Sequence, residues 1–390
     1  MFSTRLPDRL APNAVSVAVA ALRRTNVPLL DLTDTNPTRV GIPYPSDLLQ
    51  ALADPRGRQY QPDPLGLHEA RVAVAAEYGR FRTPTSPDRV ILTASTSEAY
   101  SVLFKLLCNP GDHLLVPQPS YPLFDLLTRL DGVLACPYRL EYHRVWSIDR
   151  AGMEQALSSH TRAVLVVSPN NPTGSLLRVA DREWLVALCA ERGLALIADE
   201  VFADYPLAPR PDACTIAGER RILTCSLGGL SKSAGLPQVK LGWIVLDGPE
   251  ALVADALSRL EVVCDTYLSV STPVQLAAAR LIEAGRTIRT AILARVTENL
   301  AALRRQLAEH PAVTLLEPEA GWSAVLQVPA IRSEEALVLR LLDAARVLVH
   351  PGYFFDFAHE AFLVVSLLPE PAVFAEALTR LLPIADGSRA

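Results

Sequence analysis

An α/β fold with a mainly parallel sheet and a second, smaller α+β domain is predicted by three observations. From Asp88 onward, short β-branched or Leu-rich runs alternate with longer helical patterns, the signature of βαβ units. The runs are apolar on successive residues, as in LVV and ALIA, which marks strands buried on both faces. Past Thr272 the alternation stops and a long helical stretch begins, a spine leading into a different architecture. A length of 390 residues exceeds what one hydrophobic core organises, so two domains fit the size as well as the pattern.

Taken in order, apolar spacing over 15–22 predicts an amphipathic helix packed on the body, with a mobile arm as the alternative. The Pro-rich segment between Asn36 and Pro64 reads as an irregular crossing between domains. Strands are predicted at 89–93, 113–116, 163–167, 194–198, 222–225 and 241–246, with helices at 97–107, 121–131, 153–158, 181–192 and 250–264 between them. The long helix follows Leu276, Leu281, Ile288, Ile292, Val296, Leu300, Leu303 and Leu307. Beyond it come strands near 313–316, 324–328 and 362–367, and helices near 334–345 and 372–382.

Composition narrows the function classes. With 50% hydrophobic and 20% charged residues and a net charge of −5, no basic stripe offers itself to a phosphate backbone, so nucleic acid is not an expected partner. No run of about 18 uninterrupted apolar residues exists, and the N-terminus lacks a basic segment followed by an apolar core; the expected compartment is the cytoplasm, with no membrane partner. The six cysteines are scattered without a CxxC pair and read as reduced, buried thiols, and no metal site is expected.

Three segments carry chemistry. SPNNPTG, Ser168 to Gly174, follows a strand directly, and its Asn-Pro and Gly form a tight turn that puts Asn171 at the carboxyl edge of the sheet, where open α/β sheets bind ligands. LALIADE ends a strand on Asp199, a carboxylate costly to bury without a cationic partner such as a protonated pyridine nitrogen. Asp199 or Glu200 alternatively caps a helix starting near Val201. In SLGGLSKSAGLPQVKLGW, Ser226 to Trp243, a strand ending at Cys225 delivers a Gly-flexed loop bearing Lys232 among small neighbours. A lysine in a partly desolvated pocket forms imines with carbonyls, whereas the bland alternative is a surface lysine on a loop.

The order and spacing of these segments resemble the class I/II aminotransferases of PLP fold type I, the aspartate aminotransferase-like enzymes, over residues 36–382. The resemblance implies a large domain with a mainly parallel seven-stranded sheet between helices, plus a smaller α+β domain. The division is 1–45 as N-terminal arm and part of the small domain, 46–280 as the PLP-binding domain and 281–390 as the small C-terminal domain. It also implies that pyridoxal 5'-phosphate forms a Schiff base with Lys232, which moves the proton between substrate α-carbon and cofactor. Asp199 resembles the partner of the pyridine nitrogen, and Asn171 the group that hydrogen-bonds the phenolic oxygen.

Further matches extend the site. Ser95, Thr96 and Ser97 in LTASTSEAY stand between a strand and a helix start, where amides and hydroxyls favour a phosphate dianion, unless they simply cap the helix. Ser231, beside the lysine, belongs to the same cofactor-binding set. Tyr121 resembles the aromatic that stacks on the ring, with a core tyrosine as the alternative. Tyr60 resembles the tyrosine that reaches the neighbouring subunit's phosphate, which implies a homodimer with composite sites.

Four positions depart from the family pattern. Lys240 stands where an arginine commonly holds the phosphate, keeping charge but not the bidentate fork. Gly229 replaces a common serine. Phe202 replaces a tyrosine whose hydroxyl bonds the phenolic oxygen, and loss of that donor is expected to raise the imine pKa. Val364 stands where an arginine clamps the substrate α-carboxylate. Either another cation takes over, of which Arg39 in NPTRVG beside Asn36 is the preferred choice, or the donor lacks a carboxylate there. Trp322 and Tyr353 mark loops expected to shape a pocket for an apolar or aromatic side chain.

The implied reaction moves an amino group from an amino acid to a 2-oxo acid by ping-pong chemistry. The same residues would serve a C-S lyase, a decarboxylase or a tailoring enzyme of secondary metabolism. A non-catalytic effector-binding module is the alternative of a different class.

Overall fold

The computed structural model describes residues 2–7, 10–25, 27–81 and 83–388. Helix α1 (Ala14–Arg24) is started by Asn13, whose side chain accepts a hydrogen bond from the Ser16 amide at 2.8 Å. Its Val15 is buried against the body, as the apolar spacing predicts. Strand β1 (Leu30–Asp31) follows, and the proline-rich crossing holds two short 3-10 turns, Leu48–Ala53 and Pro55–Arg58, before α2 (His68–Tyr78).

The large sheet and its helices come next: β2 (Val90–Thr93), α3 (Thr96–Leu107), β3 (His113–Gln118), α4 (Phe124–Leu130), β4 (Leu134–Tyr142), β5 (Trp146–Ile148), α5 (Arg150–Ala156), β6 (Thr161–Val167), α6 (Val179–Arg192), β7 (Ala195–Asp199), β8 (Thr224–Gly229), α7 (Leu230–Ser233), β9 (Gly242–Asp247) and α8 (Glu250–Tyr267). Helix α9 (Thr272–Leu307) leads to β10 (Thr314–Leu316), β11 (Ser323–Gln327), α10 (Glu334–Arg340), β12 (Val347–Leu348), β13 (His350–Pro351), β14 (Phe362–Ser366) and α11 (Pro371–Ala385).

The strand order is β2-β9-β8-β7-β6-β3-β4-β5. Strands β4, β3, β6, β7 and β8 run parallel, β9 is antiparallel to both its neighbours, and β5 folds back on β4. The sheet therefore has eight strands where seven were expected; the extra one is the short edge strand β5, a hairpin return too brief to announce itself. Helices α3 and α8 cover one face, with Tyr100, Leu103 and Leu260 in its core, and α6 covers the other through Leu185 and Cys189. Strands β10, β11, β14 and β13 form an antiparallel sheet, and β1 pairs with β12, tying the N-terminal crossing to the C-terminal part. The predicted 280/281 division falls inside α9. Among the described residues no helix is long and apolar enough to cross a membrane.

Two local expectations are corrected. Strand β8 continues to Gly229 instead of ending at Cys225, because Gly228 and Gly229 pair with Trp243 and Gly242 of β9. Lys232 therefore sits on one helical turn, α7, rather than on an extended loop.

Candidate active site

Strands β6, β7 and β8 are parallel neighbours, so their carboxyl ends open on one edge and deliver Val167, Asp199 and Gly229 to one place. A cavity of about 230 Å³ lies there, between the strand ends and the start of the antiparallel sheet. Its wall includes Lys232, Asp199, Asn171, Tyr121, Phe202 and Trp322.

The turn after β6 is braced by its own residues. Asn170 accepts from the Ser120 hydroxyl at 2.7 Å and donates to the Pro119 carbonyl at 2.9 Å, and Ser168 accepts from the Leu177 amide at 2.8 Å. Gly174 closes the turn at φ +69°, where a Cβ would meet the Ala320 carbonyl oxygen at 2.5 Å, so a side chain is excluded on both counts. With Asn170 committed to the scaffold, Asn171 is left facing the cavity beside Ser323, whose hydroxyl is 3.5 Å from its amide oxygen.

Asp199 ends β7 and is 7% exposed. Its carboxylate accepts from the Tyr100 hydroxyl at 2.6 Å and the Val201 amide at 3.1 Å. Burial pushes its pKa up, against those hydrogen bonds and the charge of Lys232. The capping alternative is thus partly realised, although residues 201–204 form a turn and not a helix.

Burial lowers the Lys232 pKa, against the charge of Asp199, so the neutral amine is more accessible than in water. The amine lies 5.2 Å from the Trp322 ring centre and 5.6 Å from that of Phe202. Tyr205 holds the turn by donating to the Lys232 carbonyl at 2.5 Å, and packs edge-on to Trp322 with centroids 5.0 Å apart. Among the described residues Lys232 makes no ion pair within 4.0 Å. A buried carboxylate with no salt-bridge partner among the described residues and a desolvated amine thus face one aromatic-walled space, an arrangement that fits a planar, cationic heterocycle bearing an aldehyde.

Ser95, Thr96 and Ser231 also line the cavity. Ser95 caps α3, accepting from the Glu98 amide at 3.2 Å, and Glu98 in return accepts from the Ala94 amide at 2.5 Å. The capping reading is therefore realised too, and it leaves the helix start facing the cavity. Thr35, Val167, Val201, Gly229, Leu241 and Ser323 complete the wall.

Several predicted residues lie elsewhere. Ser97 is on the first turn of α3 but off the cavity wall, and Lys240 is exposed at φ +60°. At Gly229 an added Cβ would meet Gly242 Cα and the Leu241 carbonyl oxygen at 3.2 Å each, so a serine would crowd β9. Asn36 accepts from the Thr38 amide and hydroxyl in a turn that leaves Arg39 exposed. Tyr60, 78% exposed, lines a separate groove with Tyr267 and Ser271. Tyr353 is also exposed, 3.5 Å from Glu335. Tyr100 and Tyr205 were not singled out by the sequence; the signal for Tyr100 is its place four residues after Thr96, one turn along the same helix face.

The six cysteines are free. No group of acidic, His or Cys side chains among the described residues could hold a metal ion.

Residues 34–381 match the aminotransferase class I and II family. An alanine aminotransferase of Mycobacterium tuberculosis is 29% identical over 369 residues, covering 90% of this chain and 84% of the relative. A glutamate-pyruvate aminotransferase of Haemophilus influenzae is 26% identical over 363 residues, covering 90% and 89%. The fold matches an alanine aminotransferase from Pyrococcus furiosus with a TM-score of 0.89 at 24% identity, covering 99% of both chains, and an aspartate aminotransferase from Thermus thermophilus with a TM-score of 0.86 at 22% identity, covering 98% and 99%.

Proposed function

This chain belongs to the class I and II aminotransferases, and on that premise we propose that it transfers an amino group from a small amino donor to a 2-oxo acid with pyridoxal 5'-phosphate held at Lys232. The observation that carries this reading is the placement of the Lys232 amine and the Asp199 carboxylate on one aromatic-walled cavity with no ion pair between them within 4.0 Å. When bound, the cofactor supplies an aldehyde for the amine and a ring that stores the electron pair released at the substrate carbon.

The chain's own residues have separable tasks. Asp199, oriented by Tyr100 and the Val201 amide, would pair its carboxylate with the ring nitrogen of the bound cofactor. Lys232 holds the aldehyde and, once released, takes and returns the proton at the substrate carbon; its lowered pKa favours the neutral, basic form. With the cofactor bound, Asn171 would offer its amide to the phenolic oxygen, Tyr121 and Phe202 would confine the ring, and Ser95, Thr96 and Ser231, which line the same cavity, would hold the phosphate. Phosphate binding would rest on these and on the amides that begin α3. Tyr60 would serve the site of a second subunit. The same reading keeps the division into an arm at 1–45, a large domain at 46–280 and a small domain at 281–390.

Reconstitution with pyridoxal phosphate tests the proposal. We expect a visible absorption band, lost in Lys232→Ala, and a borohydride-reduced adduct that peptide mass mapping places on Lys232. A band that survives the substitution, or an adduct on another lysine, would refute it. The names of the relatives make glutamate as donor with pyruvate as acceptor, or the reverse exchange from alanine to 2-oxoglutarate, the first pair to assay.

A further inference from the structure

We infer that the preferred amino substrate of this site carries a neutral group, not a carboxylate, beside its amine-bearing carbon: a primary amine or a carboxamide. The inference rests on the aminotransferase reading above and names its substrate class.

Charge in the cavity is the first argument. Among the described residues Lys232 is the single cationic side chain on its wall, and that amine is committed to holding the cofactor or to carrying a proton. The remaining charged group, Asp199, is negative. A substrate carboxylate would give up water for a wall of Tyr121, Val201, Phe202, Leu241 and Trp322 to which the same chain's described residues bring no permanent cation.

The second argument is the strand that could supply a cation and does not. Ser323, on the cavity wall, pairs with Ser366 of β14, and Val325 pairs with Val364, so Val364 stands on the same face of that sheet two residues along. It is 2% exposed and packed with Trp146, Val325, Phe355 and Phe362. This continues the apolar wall beyond the cavity. Arg39, the nearest alternative in sequence terms, is exposed and off the wall.

The polar groups that the cavity does offer are neutral. Asn171 presents an amide, and Ser323 and Tyr121 bring hydroxyls to the same wall. A neutral donor satisfies a carboxamide oxygen, or stands idle beside an alkylamine, without an uncompensated charge on either side.

The exchange balances as follows. The donor's C–N bond breaks, its carbon is oxidised by two electrons to the carbonyl level and takes its oxygen from water, and the nitrogen stays on the cofactor. A carbonyl acceptor then receives the nitrogen and the two electrons, and its oxygen leaves as water. A 2-oxo acid acceptor would be held through its side chain and saturate at high concentration.

The test compares compounds with one side chain. Holoenzyme is mixed with phenylalanine, phenylalaninamide or 2-phenylethylamine, and the half-reaction is followed by loss of the cofactor's visible band. The amide and the amine should react with an efficiency at least roughly tenfold above that of the amino acid, the scale of one unpaired buried charge. Holoenzyme that reacts equally well or faster with phenylalanine, or with neither neutral compound, overturns the inference while leaving the cofactor assignment intact. Loss of the phenylalanine reaction in Arg39→Ala would then hand the carboxylate to Arg39. A protein that takes up no pyridoxal phosphate overturns the aminotransferase reading itself.

Discussion

At position 202 a phenyl ring stands on the cavity wall where a phenol would add a donor, and this one missing hydroxyl has a measurable consequence. A hydrogen bond to the cofactor's phenolic oxygen favours its charged form and so lowers the basicity of the neighbouring imine nitrogen. On the proposed reading Asn171 would do this without help from residue 202. Restoring the hydroxyl in Phe202→Tyr should move the pH midpoint of the holoenzyme's visible absorbance downward by about one unit. An unchanged or higher midpoint would show that residue 202 does not face that oxygen. Asp199, Asn171 and Lys232 could be singled out because each sits inside a short string whose turn and strand grammar is local, whereas Phe202 was reached only through the family resemblance, as the position three residues after Asp199. Tyr100 and Tyr205 escaped notice because their meaning lies in contacts 99 and 27 residues away, to the Asp199 carboxylate and the Lys232 carbonyl. A tyrosine in an apolar run reads as core, and in part these are core: Tyr100 packs on Phe104 and Phe124.

The lysine turn α7 depends on a glycine in another element. Gly285 lies in the middle of the 36-residue helix α9, where a glycine costs helix stability and so needs a packing reason. A Cβ there would sit 2.4 Å from Ala234 Cβ, two residues after Lys232. Arg289, one turn along, donates to the Ser233 carbonyl at 2.7 Å and pairs with Glu77 at 2.8 Å, fixing the same turn. Gly285→Ala should therefore destabilise the protein by about 1–3 kcal/mol, read as a lower urea midpoint, and also weaken cofactor retention. Equal midpoints would mean that the helix and the turn separate freely. The register of α9 was legible, since Leu281, Ile288, Ile292, Val296, Leu300 and Leu303 are all buried as their spacing demands. Strand β4 was not: LACPYRLEY has polar residues at several positions, a mostly half-exposed pattern and an internal proline, all of which depart from the doubly buried apolar runs that mark the central strands. The end of β8 was misjudged because Gly228 and Gly229 look like loop glycines. Gly228 is instead required by the Trp243 indole, whose Nε1 would lie 2.4 Å from an added Cβ.

At the scale of the whole molecule, one continuous core joins Val74, Trp243 and Leu230 to Val347, Phe374 and Leu381, so the large and small parts share a hydrophobic interior across α9. That continuity explains why the predicted boundary had no composition break to mark it. What this core leaves outside bears on assembly. Tyr60, Val262 and Tyr267 are exposed at 78%, 69% and 58%, and Tyr60 and Tyr267 line one groove away from the chain's own cavity. A solvent-facing tyrosine serves no purpose in its own subunit's site, whereas in a composite homodimer its hydroxyl would complete the partner's. Complementation between two defective chains separates these cases. Lys232→Ala removes the imine-forming amine from its own site and leaves Tyr60 intact; Tyr60→Ala does the reverse. In a mixed dimer, the site built on the Tyr60→Ala chain would regain both groups, while the other would lack both. Mixing the two variants under conditions of subunit exchange should therefore yield activity above the sum of the separate preparations, and sedimentation should report a dimer. Strict additivity, with the Tyr60→Ala chain impaired alone, would confine Tyr60 to its own subunit and remove the argument for shared sites.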